Sequence, residues 1–179
     1  MPDLTILWAA LIVFFGVEII TSFLKANWNR VYFTMGLPIF TSRVPMKSPG
    51  IITLDIDRME SEFPASFIQN GLKFKQFDSN LYAFQGRGLG RNNIELMHGL
   101  ILFDQTLMQV IVKGYSDVTN LVGLLFAMYV GFIFFHWWGI LFALILLSPM
   151  GVLYFLQMKR YRRVAEKAAG LAATPPPAI

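Results

Sequence analysis

The residues of this chain that could do chemistry lie in a few short motifs. Asp55 and Asp57 form an Asp-x-Asp pair, which can hold a divalent cation when both carboxylates lie on one strand face. Glu95-Leu-Met-His98 has the Glu-x-x-His spacing of di-iron helical bundles, but such sites need a second copy and further carboxylates. We therefore expect the two aspartates on the solvated face of a strand, and His98 as a structural or interface residue.

A glycine-rich, basic segment runs from Gly86 to Arg91. Its backbone could cradle a phosphate, but it lacks the Gly-Lys-Ser/Thr of the P-loop and does not match the dinucleotide-binding fingerprint. We predict a loop in which Arg87 and Arg91 contact lipid headgroups or a partner protein.

His136 stands beside Trp137 and Trp138 and could ligate a porphyrin metal, although a lone histidine in this setting is more typical of a polar turn. The chain has no cysteine, which excludes disulfides, thiolate catalysis and cysteine-ligated metals. The motifs therefore predict no catalytic residue and no metal ligand. The sequence requires no cofactor and leaves open whether one is bound.

The elements that hold these motifs are dominated by apolar sequence. The chain is 55% hydrophobic and 15% charged, whereas soluble domains are about one-quarter charged. The apolar residues concentrate in two blocks, Leu4–Leu24 and Leu121–Met158, which indicates an integral membrane protein. The sequence pI is near 9.5, but the basic residues after the second block are typical of a cytoplasmic membrane flank. We therefore expect no nucleic-acid partner.

The two apolar blocks predict three transmembrane helices. The first block would be about 31 Å long as a helix, which matches the hydrocarbon core of a bilayer. We assign residues 1–25 to this uncleaved anchor, since Asp3 replaces the basic start of a signal peptide. The second block is too long for one span. We predict a tight hairpin that turns at His136–Gly139, with helix 2 over 118–136 and helix 3 over 137–160.

Charge sets the predicted orientation. Basic residues stay on the cytoplasmic side, so the flank after helix 3 places the C-terminus and the middle domain in the cytoplasm and the N-terminus outside a bacterial-type inner membrane. We assign residues 161–179 to a basic, proline-terminated cytoplasmic tail. The residues expected to contact lipid headgroups or a partner are Lys159, Arg160, Arg162 and Arg163, and the expected interface anchors are Trp28, Trp137 and Trp138.

Residues 26–117 predict a small α+β domain, mainly antiparallel β, on the membrane surface between helix 1 and helix 2. Alternation of apolar and polar residues, with turn residues between the runs, predicts most of its strands. The expected elements are a strand in Tyr32–Phe40, a turn region at Thr41–Gly50, a strand at Ile51–Asp57, a short helix within Arg58–Asn70, and two hairpins, Leu72–Phe77 with Leu81–Gln85 and Gly99–Phe103 with Thr106–Lys113.

Within the spans, small residues recur every fourth position and would let helices approach closely, either across the hairpin or on a neighbouring protein. These predicted packing residues are Gly123, Ala127, Gly131, Gly139 and Ala143. Glu18 is an ionisable residue inside a span, for which we weigh a functional role against a hydrogen bond toward Ser148 or a partner helix. Pro149 predicts a kink in helix 3.

These features favour a non-catalytic accessory subunit that docks on a larger membrane complex and stabilises it. Its expected partners are membrane lipids and other subunits of that complex, for which a photosynthetic or respiratory complex is the base-rate expectation. One alternative is a membrane-bound enzyme that acts on a lipid or its headgroup through Asp55, Asp57 or His98. Another is a membrane-anchored adaptor or sensor whose middle domain binds a soluble partner.

Overall fold

The structure is a computed structural model that describes residues 4–46, 53–65, 70–86 and 96–171. Within these ranges a long helix at each end encloses a β-rich domain. The elements in chain order are α1 (Leu4–Ala26), α2 (Arg30–Thr34), β1 (Pro38–Pro45), α3 (Ile56–Glu62), β2 (Leu72–Asp78), β3 (Leu81–Gly86), β4 (Met97–Asp104), β5 (Gln109–Ser116) and α4 (Val118–Leu171).

The five strands form one antiparallel sheet in the order β1-β5-β4-β3-β2. Both predicted hairpins are confirmed, because β2 pairs with β3 and β4 pairs with β5. In the second turn the Asp104 carboxylate accepts a hydrogen bond from the backbone N–H of Leu107 at 3.0 Å, and Met108 has a positive φ of 51°. A carboxylate that bonds its own turn thus replaces the glycine of the commoner hairpin turns.

The predicted strand at Ile51–Asp57 is wrong for its described residues. Asp55 is the N-cap of α3, and its side chain accepts a hydrogen bond from the backbone N–H of Arg58 at 3.0 Å. Asp57 lies in the first turn, where a carboxylate favours the positive end of the helix. The two carboxylates therefore start a helix, and residues 51 and 52 lie outside the described residues.

The first predicted strand of the domain is also displaced. Asn29 caps α2 by accepting a hydrogen bond from Val31, so the first residues of the predicted Tyr32–Phe40 strand are helical. The strand β1 begins at Pro38 and continues to Pro45, through the first part of the predicted turn region. It is an edge strand, where prolines are tolerated because no inner ladder needs their missing N–H.

The sheet has a core on each face. One core lies between the sheet and the last part of α4, where Tyr161 packs edge-on against Phe84 with ring centroids 4.7 Å apart. Val164, Ala165 and Ala168 follow on the same buried helix face. The other core contains Tyr32, Phe33, Ala83 and Leu100. Residues 161–171 thus pack on the sheet within the segment predicted as a tail, and residues 172–179 lie outside the described residues.

Helix α4 cannot be straight. The hydroxyls of Ser116 and Tyr154 are 2.6 Å apart. A straight helix would separate Val118 from Tyr154 by about 54 Å. Near the same point, Asn120 donates a hydrogen bond to the carbonyl of Leu96, and Tyr161 donates one to the carbonyl of the next residue, Met97. The helix therefore reverses direction between its two ends.

The two contacts also place the reversal. Residue 135 lies midway between Ser116 and Tyr154, and residue 140 lies about midway between Asn120 and Tyr161. These positions bracket His136–Gly139, where the sequence predicts a turn. The structure differs in assigning helix to every residue from Val118 to Leu171, so two helical arms meet there without a loop. We call the segment before the reversal the first arm and the segment after it the second arm.

Helix α1 runs antiparallel to the first arm. The hydroxyls of Thr21 and Thr119 are 2.7 Å apart, and seven residues away along each helix Phe14 stacks on Phe126 with ring centroids 5.6 Å apart. Within the described residues, Trp8–Ala26 is the one helical stretch long and apolar enough to cross a membrane, and Val122–Phe132 is a shorter apolar stretch. The three membrane spans stay a prediction.

Candidate functional site

The most connected polar site of the described chain lies where the long helices meet the sheet domain. Asp117 precedes α4, and its Oδ1 accepts a hydrogen bond from the backbone N–H of Thr119 at 3.1 Å. Its Oδ2 accepts one from the hydroxyl of Tyr32 at 2.9 Å. A side chain between α1 and the sheet is thereby tied to the N-terminus of α4. Asp117 is buried, which strengthens a hydrogen bond to a charged acceptor.

The second arm of α4 is attached at the same place. Ser116 is buried, and its hydroxyl is bonded to the hydroxyl of Tyr154. We call these four residues (Tyr32, Ser116, Asp117 and Tyr154) the joint. They connect α2, the end of β5 and both arms of α4, which fixes the sheet relative to the helices.

His98 lies on β4 beside the joint. It is 1% exposed, and its ring is near those of Tyr32, Phe33 and Tyr115, with centroids 4.4, 5.5 and 5.9 Å away. Its Nε2 lies 3.2 Å from the carbonyl oxygen of Met35, while its Nδ1 has no hydrogen-bond partner within the described residues. Burial lowers the pKa of His98 to about 4, although the charge of Asp117 opposes this shift. The neutral ring therefore donates from Nε2 and acts structurally.

The predicted headgroup-contact residues divide into different roles. Arg160 is half-buried, and its guanidinium donates to the backbone carbonyls of Asn70, Phe63 and Pro64, so it ties α4 to the segment after α3. Arg160 thus has a structural role within the chain, and its predicted contact with headgroups or a partner stays a prediction. Arg162 is exposed and paired with Glu166 at 3.9 Å.

Two more of these residues border a cleft. The Lys159 ammonium lies 4.6 Å above the ring of Phe155, and Arg163 is exposed one turn further along. Both line a cleft of about 720 Å³ between α3 and α4. Arg87 and Arg91 lie outside the described residues, so their predicted contacts are untested.

The small-residue positions are distributed unevenly. Gly123 faces α1, where an added Cβ would lie 3.4 Å from the ring of Phe14. Gly131 is half-buried and Ala127 is exposed. The surroundings of Gly139 and Ala143 lie outside what the structure describes. At least one member of the predicted stripe thus contacts α1 within the chain.

Glu18 and Ser148 are not brought together. Glu18 is exposed on α1, and Ser148 donates a hydrogen bond to the carbonyl of Ile145 at 2.9 Å. Pro149 has no N–H, so it leaves that same carbonyl without its usual helical donor. Ser148 therefore compensates for the proline within its own helix, and a functional role for Glu18 or its bond to a partner helix stays a prediction.

The tryptophans predicted as interface anchors also differ from one another. Trp28 follows α1 with a positive φ of 52° and stacks on Phe33 with ring centroids 5.2 Å apart. Trp138 is 79% exposed. The side chain of Trp137, like that of His136, lies outside the described residues.

Sequence reasoning missed the joint. Its clearest signal was Asp117 followed by Val-Thr-Asn before an apolar run, which is a helix start. Tyr154 and Tyr161 are two turns apart, so they share a helix face, and each carries a polar tip that needs a buried partner. Nothing in the sequence alone indicated that Ser116 and Met97 supply those partners.

The described residues contain no group of three or more histidines, aspartates or glutamates that could hold a metal ion. No protein-family model, curated protein or solved structure matches this chain.

Proposed function

We propose that this chain is a non-catalytic accessory subunit that docks on a larger membrane complex and stabilises it. In this proposal α1 and the two arms of α4 cross a bacterial-type inner membrane, with the N-terminus outside and the sheet domain in the cytoplasm. The observation that carries the proposal is the set of large apolar side chains that α1 and α4 leave uncovered.

The exposed apolar surface on α1 is extensive. Only 6% of the stretch Trp8–Ala26 is buried within the chain. The exposed large side chains of this helix lie on the half of its circumference that faces away from the first arm, and they are Trp8, Ile12, Val13, Phe15, Ile19, Ile20 and Phe23. Exposing an apolar surface of this size to water is unfavourable, whereas lipid or the apolar helices of a partner would cover it.

The dimensions of the helices support three spans. Because Thr21 is level with Thr119 and Phe14 with Phe126, continuing the antiparallel pairing makes Leu4 level with His136. The distance from Thr21 to Leu4 is about 26 Å, close to the thickness of a bilayer core. Tyr154 returns to the level of Ser116, so Lys159 and the following basic residues lie beyond it, on the side of the sheet domain.

The joint supports a docking role over a loosely tethered one. The second arm passes from the level of the proposed membrane directly into the domain core, where Tyr161 is 2% exposed. Since the joint bonds the same helix to Ser116, the sheet domain has little freedom to swing. A subunit built in this way presents its cytoplasmic surface at a fixed height and orientation.

The residues that were candidates for an enzymatic role have structural roles or isolated positions. Asp55 is committed to capping α3, and His98 is buried with a depressed pKa. Asp57 is exposed, and it belongs to no group of three or more potential metal ligands among the described residues. The adaptor alternative is favoured by one observation, an exposed apolar run on α2 and β1 that contains Val31, Met35, Leu37 and Ile39.

Site-specific photo-crosslinking in intact membranes tests the proposal. A crosslinker at Ile12, which is 71% exposed on α1, is expected to capture a discrete membrane protein. A crosslinker at Leu37 should give that product weakly, and one at Ser79 in the β2–β3 turn serves as the control. Native gels after mild detergent extraction should show the same complex. A monomer in every mild detergent, with only lipid adducts from Ile12, would overturn the subunit proposal. Capture of a soluble protein from Leu37 alone would favour the adaptor.

A further inference from the structure

We propose that the cleft between α3 and the second arm of α4 binds the phosphate headgroup of an anionic membrane lipid. The inference rests on the membrane orientation in the proposed function. The cleft has a volume of about 720 Å³. Its lining combines apolar and basic side chains with two carboxylates, and the residues that the argument uses are Glu62, Leu156, Lys159, Arg163, Glu166 and Lys167.

The carboxylates of the cleft are already paired. Glu62 accepts a hydrogen bond from Lys167 at 2.8 Å, and Glu166 lies 3.9 Å from Arg162. Within the described residues, Lys159 and Arg163 have no carboxylate at ion-pair distance. The cleft therefore retains two positive charges available to an anion.

The spacing of these two charges suits one phosphate group. Lys159 and Arg163 are four residues apart and so lie on one face of the helix, about 6 Å apart along its axis. Lysine supplies a flexible ammonium, and arginine supplies a planar fork that matches phosphate oxygens. Neither side chain makes a hydrogen bond or an ion pair with another described residue, in contrast to Arg160, which bonds three backbone carbonyls.

The position of the cleft relative to the proposed bilayer favours a lipid over a soluble anion as its ligand. Tyr154 lies at the level of Ser116, where the proposed bilayer core ends. Lys159 is about 8 Å beyond it along the helix, and Arg163 is about 14 Å beyond. The headgroup region of a bilayer is about 5–8 Å thick on each side. Helical side chains lean toward the N-terminus of their helix, which for this arm is the membrane side, so Lys159 reaches back into that region and Arg163 extends toward its outer edge.

An apolar path leads from the cleft toward the bilayer. Leu156 lines the cleft on its membrane side. Phe155 lies beneath the Lys159 ammonium, and Val152 is exposed one turn nearer the membrane. An acyl chain could follow this strip while its phosphate occupies the cleft. An acidic peptide of a partner would leave the strip uncovered, so the structure favours the lipid.

Native mass spectrometry of the full chain tests this site. The protein is reconstituted in nanodiscs of equal parts phosphatidylglycerol and phosphatidylcholine, and the lipid retained on release is identified. The wild-type chain should retain phosphatidylglycerol selectively. The double variant Lys159→Gln/Arg163→Gln should lose that selectivity about thirtyfold, since each basic residue near an anionic membrane surface strengthens binding about fivefold.

Matched variants distinguish binding at this cleft from a general effect of the net charge of the chain. Arg43→Gln/Lys113→Gln removes the same charge from exposed positions on the opposite sheet face, and should retain phosphatidylglycerol as the wild type does. Lys159→Arg/Arg163→Lys keeps the charge and should also retain it, which controls for folding. Equal phosphatidylglycerol retention by the wild type and the glutamine variant would overturn the inference.

Two further outcomes identify other ligands or other failures. Displacement of the lipid by millimolar inorganic phosphate would assign the cleft to a free anion, and loss of the native complex in the glutamine variant without a lipid change would assign it to a protein partner. Either result overturns the lipid inference. Selective lipid retention by a chain that forms no complex would overturn the subunit function and leave the lipid site standing.

Discussion

Gly36 shows how closely the joint is packed at the level of a single residue. Its φ is +111°, a conformation that side chains rarely adopt, and an added Cβ would overlap the carbonyl oxygen of Ser116. Gly36→Ala should therefore lower the free energy of unfolding by at least about 2 kcal/mol. Gly170→Ala is the matched control, because a Cβ there meets open space on a helix and should stabilise by up to about 1 kcal/mol. Thermal unfolding in detergent measures both, and equal melting temperatures would contradict the packing described.

His98 should make the stability of the domain depend on pH. Its pKa falls from the ordinary 6.5 to about 4 on folding, so between these values the unfolded chain binds more protons than the folded one. Stability is then fully present above pH 6.5 and decreases as the pH falls toward 4, by up to about 3 kcal/mol. Chemical unfolding between pH 7.5 and 4.5 measures this loss. His98→Phe should lose less over the same interval, and an identical loss would locate the titration elsewhere.

The aspartates Asp55 and Asp57 mark the limit of sequence reasoning at this scale. The alternation of Ile52, Leu54 and Ile56 fits a strand, whereas Asp55 fits a helix N-cap equally well. Tertiary packing decides between them, because Met59 on α3 is fully buried in the sheet core. Nothing in the local sequence indicates that Met59 will be buried in the core beneath the sheet.

Among the elements, the reversal of α4 gives the most direct prediction. Leu125 and Val152 are both 59% exposed, so cysteines there can carry spin labels without disturbing the core. A straight helix would hold these positions about 40 Å apart, whereas the reversal should bring the labels within about 25 Å. Double electron–electron resonance on Leu125→Cys/Val152→Cys measures the distance, and the absence of native cysteine keeps the labelling specific. A main peak near 40 Å would rule out the reversal.

The elements that the sequence predicted well are those with local signals. Asp78-Ser79-Asn80 stands between two alternating runs, and the hairpin β2–β3 forms there. The edge strand β1 was displaced because its pairing partner, β5, is far along the chain and leaves no mark near Pro38. A break in the second apolar block was inferred from its length, since no single span could hold it, and its position at His136–Gly139 was predicted from the interfacial tryptophans and the turn-forming glycine.

For the whole molecule, the proposed topology predicts a definite pattern of labelling. A cysteine at Pro2 or His136 should react with a membrane-impermeant maleimide in intact cells, while one at Ser61 on α3 should react only after the membrane is opened. The inward placement follows from the basic residues near the domain. The cysteine-free wild type is the background control. Labelling of Ser61→Cys in intact cells would reverse the orientation.

The organisation of the whole molecule was only partly predictable. The apolar blocks and the basic flank give the order of the segments, and the structure contains the expected antiparallel sheet domain with an apolar helix before it. The contribution of the second arm to the sheet core was not expected, because Val164, Ala165 and Ala168 lie among lysines and arginines. Small apolar residues in a charged segment give a weak pattern, yet they allow the helix to approach the sheet closely.

The position of Tyr161 has a consequence for biosynthesis. All five strands leave the ribosome before this residue does, as do both arms of α4 up to Met158. One face of the sheet therefore stays open until Tyr161 has been synthesised and can cover Phe84. In the proposed topology the apolar hairpin must enter the membrane before Tyr161 reaches the sheet, so a chain whose hairpin failed to insert would expose this face of the sheet to cytoplasmic proteases and chaperones.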